Sequence, residues 1–363
     1  MGVKKYFKDI KKISEILNSD GKKMLFYHGD ADGVCSAALV GRYFYGFEFQ
    51  SRRGPMMDTK FVNYLIESKP DILVFLDLPV DQELKELQRI VKKLPKIRIL
   101  IIDHHIFDVE LNTKNITHVN PRFHDRDAYL PASYLVYKMI ELMGKDVKDV
   151  KDDIWLSVIG IIGDYGVECT DVLGECRKEY PELIGEDMFS SRLAEGSEMI
   201  NAAVTLFGFR GMDEIFKSLI KAHSYDDFGE KSKFKKWKHD IDQEIKKIMA
   251  RFETEKKKSE SKVLEMHKGI IFYLIETELS LNATISTLIT KKHDDDVVMV
   301  IRKAEDDHGY KISSRCQSGR VDVAALMKKA TKGIGNGGGH PKAAGAFTVD
   351  LGMFKSRVIR ELK

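Results

Sequence analysis

No apolar run in this sequence approaches the roughly 20 residues that a membrane helix needs. The longest, at 72–76 and 99–102, are strand-sized. Cysteine is scarce: the four at 35, 169, 176 and 316 form neither a CxxC pair nor a zinc-ligand spacing. Cys169 and Cys176 therefore read as two unrelated thiols of an intracellular chain. With 8 prolines and 27 glycines the chain is neither collagenous nor of low complexity. An excess of one charge is missing too. The 59 Lys and Arg against 56 Asp and Glu leave a net +3, which neither requires nor excludes a nucleic-acid partner. The first residues, MGVKKYFKD, carry charge where a secretory signal would place its apolar stretch. These absences imply a soluble, cytoplasmic protein without a membrane partner.

What is present is 363 residues, 43% of them apolar, enough for two or three domains with real cores. The first half alternates. Residues 23–28, 72–77 and 97–103 read as buried strands, and 33–45, 61–68, 81–94 and 131–143 as helices. Continuous apolar strands spaced by amphipathic helices predict an α/β fold with a parallel sheet covered on both faces. Residues 153–163 are apolar nearly all round and predict a buried helix. Residues 165–230 are irregular and mostly helical. Residues 231–258 predict a long exposed helix with 11 basic and 5 acidic side chains, about +6 in a chain of +3. Such a run reads as a solvated linker, with a positive strut beside a phosphate backbone as the alternative. A smaller α/β unit follows, with strands at 269–276, 296–303, 310–315 and 346–349, helices at 282–291 and 321–330, and a glycine-rich loop at 335–345. The expected domains are 1–190, a helical segment and basic linker at 191–261, and 262–363.

Four acidic clusters sit where strands or buried helices end. HGDADG at 28–33 closes the first strand, Asp77 the second and DHH at 103–105 the third; Asp164 ends the buried helix. In an extended chain alternate residues share a side, so His28, Asp30 and Asp32 can converge. In an open parallel sheet the ligand site lies beyond the carboxyl ends of the strands, where these clusters would meet. One aspartate after a strand is ordinarily a turn or helix cap. Five carboxylates in one place repel unless a cation neutralises them, and Asp with His but no Cys suits a hard-to-borderline divalent ion. Imidazole tilts the choice from magnesium towards manganese, and the number of candidate ligands suffices for two ions.

The ordered set HxDxDG, Asp, DHH and GD resembles the DHH phosphoesterase superfamily. SSR at 313–315, VDVA at 321–324 and GNGGGHPKAAG at 335–345 resemble the DHH-associated C-terminal domain. Together they are similar to the RecJ-like nucleases and the nano-RNA phosphodiesterases, over about residues 20–170 and 262–350. The resemblance implies that His28 and Asp30 bind one manganese, that Asp32, His104 and Asp164 bind the other, and that Asp77 bridges them. It implies that His105 contacts the scissile phosphate and that Asp103 orients a histidine. Arg315, His340 and the backbone of Gly337, Gly338 and Gly339 would hold the nucleotide. Bacterial RecJ-type sequences usually lack the histidine two positions before the first Asp, so its presence here is closer to archaeal relatives. The chain is also too short for the additional oligonucleotide-binding domain of bacterial RecJ.

The function so implied is two-metal hydrolysis of single-stranded DNA or RNA from an end, in a cleft between two domains. Such a cleft admits one flexible strand more readily than a duplex. A repair or replication protein is the expected protein partner. The rival substrates are di- to penta-nucleotides, phosphorylated adenosine phosphates or cyclic dinucleotides, for which the chemistry would be the same. An inorganic pyrophosphatase shares the metal core but not the glycine-rich second domain. A catalytically dead scaffold would have lost ligands that are all filled here. His118, His124, His223, His239, His267, His293 and His308 lack acidic company of this kind and read as surface or packing residues.

Overall fold

The computed structural model describes residues 3–144, 147–304 and 308–362. Contacts divide the chain into two units, Met1–Lys238 and His239–Lys363. In the first, β1 (Lys23–His28), β2 (Phe47–Arg52), β3 (Ile72–Leu76), β4 (Arg98–Ile102) and β5 (Ile116–Val119) form an all-parallel sheet in the order β2-β1-β3-β4-β5. The period of two is visible in the packing. Leu25, Tyr27, Val74, Leu76, Leu100 and Ile102 face one core, while Met24, Phe26, Leu73, Phe75, Ile99 and Ile101 face the other. α1 (Ile10–Asn18), α2 (Ala31–Tyr43), α5 (Ala132–Leu142) and α7 (Ile154–Gly163) cover the first face; α3 (Thr59–Ser68) and α4 (Leu84–Lys93) cover the second. A short α6 (Val147–Asp152) precedes α7. This strand order reverses between β1 and β3, which is where a doubly wound sheet opens a crevice.

Sequence patterning missed β2 and β5. Both are edge strands, and neither Phe-Glu-Phe-Gln-Ser-Arg nor Ile-Thr-His-Val is the continuous apolar run of a central strand. The irregular stretch resolves into α8 (Thr170–Glu179), α9 (Pro181–Ile184), α10 (Arg192–Phe207), α11 (Phe209–Lys221) and α12 (Tyr225–Gly229), which extend the first core. All four cysteines are free and buried.

β5 carries a titrating group that matters for folding. His118 is buried with its ring edge-on to Phe123 at 4.7 Å, and among the described residues neither ring nitrogen has a hydrogen-bond partner. Burial pushes its pKa down to about 4, against weak opposition from Asp103 and Glu110. As pH falls the unfolded chain takes up this proton first. The stability is therefore intact above about pH 6.5 and is lost on the way down to about 4, with about 2 kcal/mol lost between about pH 7 and 5. Urea unfolding of His118→Gln at both pH values should show a pH dependence smaller than the parent's by that amount.

In the second unit β6 (Leu264–His267), β7 (Ile270–Leu274), β8 (Val297–Lys303), β9 (Tyr310–Arg315), β10 (Gly335–His340) and β11 (Ala343–Thr348) form a mixed sheet ordered β10-β11-β9-β8-β7-β6. Of its neighbouring pairs only β7–β8 is parallel. α14 (Asn282–Thr290), α15 (Val323–Ala330) and α16 (Leu351–Leu362) complete the unit, the last two packing into its core. The glycine-rich segment expected as a loop is an edge strand instead. Its glycines answer a steric demand: a Cβ on Gly337 would come within 3.0 Å of Met327 on α15, and one on Gly335 within 1.9 Å of the Phe347 carbonyl oxygen.

The basic stretch forms α13 (Ser232–Glu255), and the boundary between the units falls inside it. It is not exposed all round. Phe234, Ile241 and Ile248 are buried at a seven-residue spacing, together with Phe252. Lys233 pairs with Glu214, Lys235 with Glu230, Lys238 with Glu198 and Arg251 with Glu276. Four of its basic side chains are thus paired with acids on neighbouring elements, and the helix is not the wholly solvated run that its composition suggested. Among the described residues no helix is long and apolar enough to cross a membrane.

Candidate metal centre

The centre grows from the carboxyl ends of β1, β3 and β4. At the end of β1 the chain turns directly into α2. A Cβ on Gly33 would lie 2.2 Å from the His28 carbonyl oxygen, so glycine is required for this close approach. Asp30 caps α2, accepting the Gly33 N–H at 2.9 Å, and its other oxygen lies 2.7 Å from His28 Nδ1. Asp32, in the first turn of that helix, is fully buried and accepts the N–H groups of Ala132 and Ser133 at 2.7 and 2.9 Å. Those donors are the free N–H groups at the start of α5, so the helix terminus fixes the Asp32 carboxylate.

Asp77 follows β3 in a left-handed conformation (φ 57°) that aspartate tolerates better than most residues. Its two oxygens face different partners. Oδ2 lies 3.3 Å from His28 Nδ1, and Oδ1 lies 3.2 Å from His104 Nε2. The same His104 nitrogen is 3.1 Å from Asp164 and 3.9 Å from Asp32. Asp164 is delivered by the C-terminus of α7. Three groups of atoms, each within 4.8 Å of one another, result: His28, Asp30 and Asp77; Asp32, His104 and Asp164; and Asp77, His104 and His105. All six residues expected as ligands are therefore brought together, with Asp77 common to two groups. Asp103 is buried and pairs with His105 Nδ1 at 2.8 Å.

The arrangement is electrostatically unfinished. Among the described residues, the two Asp77 oxygens, His28 Nδ1 and both His104 nitrogens are buried without a partner in hydrogen-bond geometry. Burial, reinforced by Asp77 and Asp164, pushes the Asp32 carboxyl well above the usual carboxylate range. Asp77 is raised by burial and by Asp30, with the histidines opposing. Burial also opposes a proton on His28 and on His104, yet facing carboxylates outweigh it and hold both imidazoles well above the ordinary value. Protons thus stand in for positive charge that the chain itself does not supply. An orphaned set of hard oxygen and imidazole donors fits divalent ions of the manganese or magnesium type.

Sequence reasoning missed the residues that hold this arrangement from the 106–131 segment. Arg122 Nε donates to the His104 carbonyl at 2.9 Å, and Asn120 to the His105 carbonyl at 3.0 Å. Tyr129 sets its hydroxyl 3.3 Å from Asp164 and its ring edge-on to His104 at 5.1 Å. The one local signal was the Asn-Pro pair at 120–121 after β5.

In the second unit Arg315 and His340 lie at one end of the sheet. Each is in register with Ala343, which sits between them on β11, so the two residues are two strand spacings apart, about 10 Å. Gly337, Gly338 and Gly339 lie along β10.

A family model for the DHH family, N-terminal domain, matches residues 23–161, and one for the DHHA1 domain matches residues 268–356. No curated protein matches the chain in sequence. Among solved structures it is similar to a DHH-domain protein described as belonging to a family of ribosomal proteins, with 16% identity over 99% of this chain and 89% of that one and a TM-score of 0.72. It is similar to RecJ in complex with Mn2+ from Thermus thermophilus, with 16% identity, 99% and 55% coverage and a TM-score of 0.69. A further likeness is to an exonuclease RecJ bound to manganese, with 17% identity, 99% and 94% coverage and a TM-score of 0.67. At these identities the likenesses are likenesses of fold.

Proposed function

The chain belongs to the DHH phosphoesterase superfamily, with a DHH domain followed by a DHHA1 domain, and from that premise we propose that it is a manganese-dependent phosphodiesterase acting on single-stranded nucleic acid from an end. The observation that carries this reading is the division of Asp77 between His28 and His104, its two oxygens being buried without a hydrogen-bond partner among the described residues. His28 and Asp30 would hold one ion, Asp32, His104 and Asp164 the other, and Asp77 would serve both. When bound, such a pair supplies Lewis acidity, bringing the pKa of a water towards about 7 and neutralising charge at the phosphoryl oxygens.

The chain's own residues do the rest. Asp103 holds the His105 ring through Nδ1, leaving Nε2 to donate to a phosphate oxygen. Burial opposes a proton on His105, but Asp103 and Asp77 hold its pKa above the usual value, which favours the donating form. Arg315 and His340, with the backbone of Gly337, Gly338 and Gly339, would hold the nucleotide. Asp103→Asn is expected to lower kcat about ten- to a hundredfold while leaving metal content unchanged, as read by steady-state kinetics beside metal analysis.

The deciding experiment is a time course on 5′- and 3′-labelled single-stranded DNA and RNA of several lengths, with manganese, magnesium or EDTA. Stepwise shortening from one end in manganese and none in EDTA is expected. Turnover that collapses beyond a few nucleotides would assign the enzyme to short oligonucleotides instead. Intact strands alongside cleavage of another phosphoester would refute the nuclease reading.

A further inference from the structure

Where α7 ends, Gly166 N–H bonds to the Ile161 carbonyl at 2.8 Å and Tyr165 N–H to the Ile162 carbonyl at 3.1 Å. This is a Schellman C-cap, and the left-handed position within it is ordinarily glycine's. Here it is Tyr165, with φ 56°. A bulky side chain in that conformation is strained, and such strain persists where something else requires it. Packing does not require it, because Tyr165 is 68% exposed.

Phe189, itself 41% exposed, packs beside the Tyr165 ring with centroids 5.2 Å apart and planes 34° apart. Phe189 is delivered by a short turn in the segment after α9. Asp187 accepts the Phe189 N–H at 3.0 Å and the Ser190 hydroxyl at 2.7 Å, while Met188 anchors the turn in the core. Residues 165–190, for which the metal chemistry has no use, thus present a second aromatic ring beside the first.

The location decides what could lie on these rings. Tyr165 is bonded to Asp164, so its Cα is about 3.8 Å from that of a residue in the metal centre. Val167 and Ile106, the latter directly following His105, are also large apolar side chains left open to solvent. Tyr165, Val167 and Ile106 each lie within three residues in sequence of Asp164 or His105, and together with Phe189 they are exposed apolar or aromatic side chains of the kind that a nucleobase covers while its phosphodiester is held by metal ions.

We propose that Tyr165 and Phe189 form a stacking platform for a nucleobase of the strand whose phosphodiester occupies the metal centre. The proposal rests on the nuclease reading and deepens it. Because every base has an aromatic face, the platform grips without reading sequence.

The test uses the full chain and single-stranded oligomers carrying terminal 2-aminopurine, whose fluorescence falls on stacking, with calcium in place of manganese. Tyr165→Ala should weaken binding about tenfold and abolish the quenching, and Tyr165→Trp should restore both. An oligomer whose terminal residues lack bases should bind the parent about tenfold more weakly, and Tyr165→Ala should no longer distinguish it from the base-bearing strand. Tyr165→Gly should melt a few degrees higher than the parent and yet bind like Tyr165→Ala, a combination that a merely structural tyrosine would not give. Tyr45→Ala serves as control, being 81% exposed and beyond the opposite end of α2 from Asp30 and Asp32. Equal losses for base-bearing and abasic strands, or no loss at all, would overturn the platform. Binding is read apart from hydrolysis. A protein that stacks the base but cleaves nothing would count against the nuclease reading alone, whereas one that binds no strand would sink both.

Discussion

Asp77→Asn is expected to lower phosphodiester hydrolysis by at least about a thousandfold and to abolish tight binding of both ions, whereas Asp30→Ala and Asp164→Ala should each lose one. Asparagine keeps the shape of aspartate and tolerates the left-handed backbone at this position, so the change isolates the charge. A carboxylate serving both ions, as proposed for Asp77, would carry several kcal/mol of charge stabilisation, and each 1.36 kcal/mol is about tenfold in rate. Removing the carboxylate should also relieve repulsion in the ion-free protein. The melting temperature of Asp77→Asn in EDTA should therefore equal or exceed the parent's, and the rise that manganese brings to the parent should be absent. Metal analysis, turnover and melting curves check the three parts. An Asp77→Asn protein that keeps two ions and normal turnover would remove Asp77 from the shared position.

A second large effect concerns stability. Arg42 on α2 pairs with Asp153 just before α7, donates to the Leu219 carbonyl at 2.7 Å and also to the Ala222 carbonyl, and lies 5.7 Å over the Trp155 ring. One guanidinium thus ties α2, α7 and the end of α11. Arg42→Met keeps the apolar stem but leaves a buried carboxylate without its cation, held by the Tyr43 hydroxyl at 3.0 Å, and takes a donor from two carbonyls, at an expected cost of about 3 kcal/mol. For a unit of this size that is a fall in melting temperature of about 10 °C. Burial already raises the Asp153 carboxyl, with Arg42 and Tyr43 opposing. Without Arg42 the folded state should hold the Asp153 proton to higher pH than the unfolded chain does. The destabilisation therefore grows as pH rises above the usual carboxylate range and shrinks in acid. Arg42→Met with Asp153→Asn should recover part of the loss. Denaturant titrations at two pH values test both statements.

Much of the centre was legible because each of its clusters is a local event. A buried strand is a run of apolar residues, and its end is marked by the first polar side chain. His28, Asp77 and the DHH stretch at 103–105 therefore identified themselves, and Asp164 did so at the end of an equally apolar helix. The common strand direction follows from helices between strands, and with it the meeting of these ends at one edge. Even the second role of Asp103, holding His105 two residues away, is within reach of a local reading.

Pairings between distant segments were not legible. The donors that fix Asp32 come from the start of α5, 100 and 101 residues later, and no pattern around either stretch announces the other. Arg42 and Asp153 are likewise 111 residues apart. The glycines at 335–339 read as a loop because glycine marks loops; only the tertiary structure showed that they form a strand, with α15 close against Gly337 and the β11 backbone close against Gly335 and Gly339. The seven-residue stripe in α13 was hidden under its lysines, whose partners lie on other elements. Nor could local rules foresee that Tyr165 would take a glycine's conformation, or that a turn after α9 would set Phe189 against it. What the sequence determined by itself is the chemistry available and the sheet edge that gathers it, since strand periodicity and donor type are properties of short segments. Which carboxylate lies between two histidines, which backbone amides hold its neighbour and which aromatic rings border them were decided only in the tertiary structure, because those depend on how close unrelated segments come.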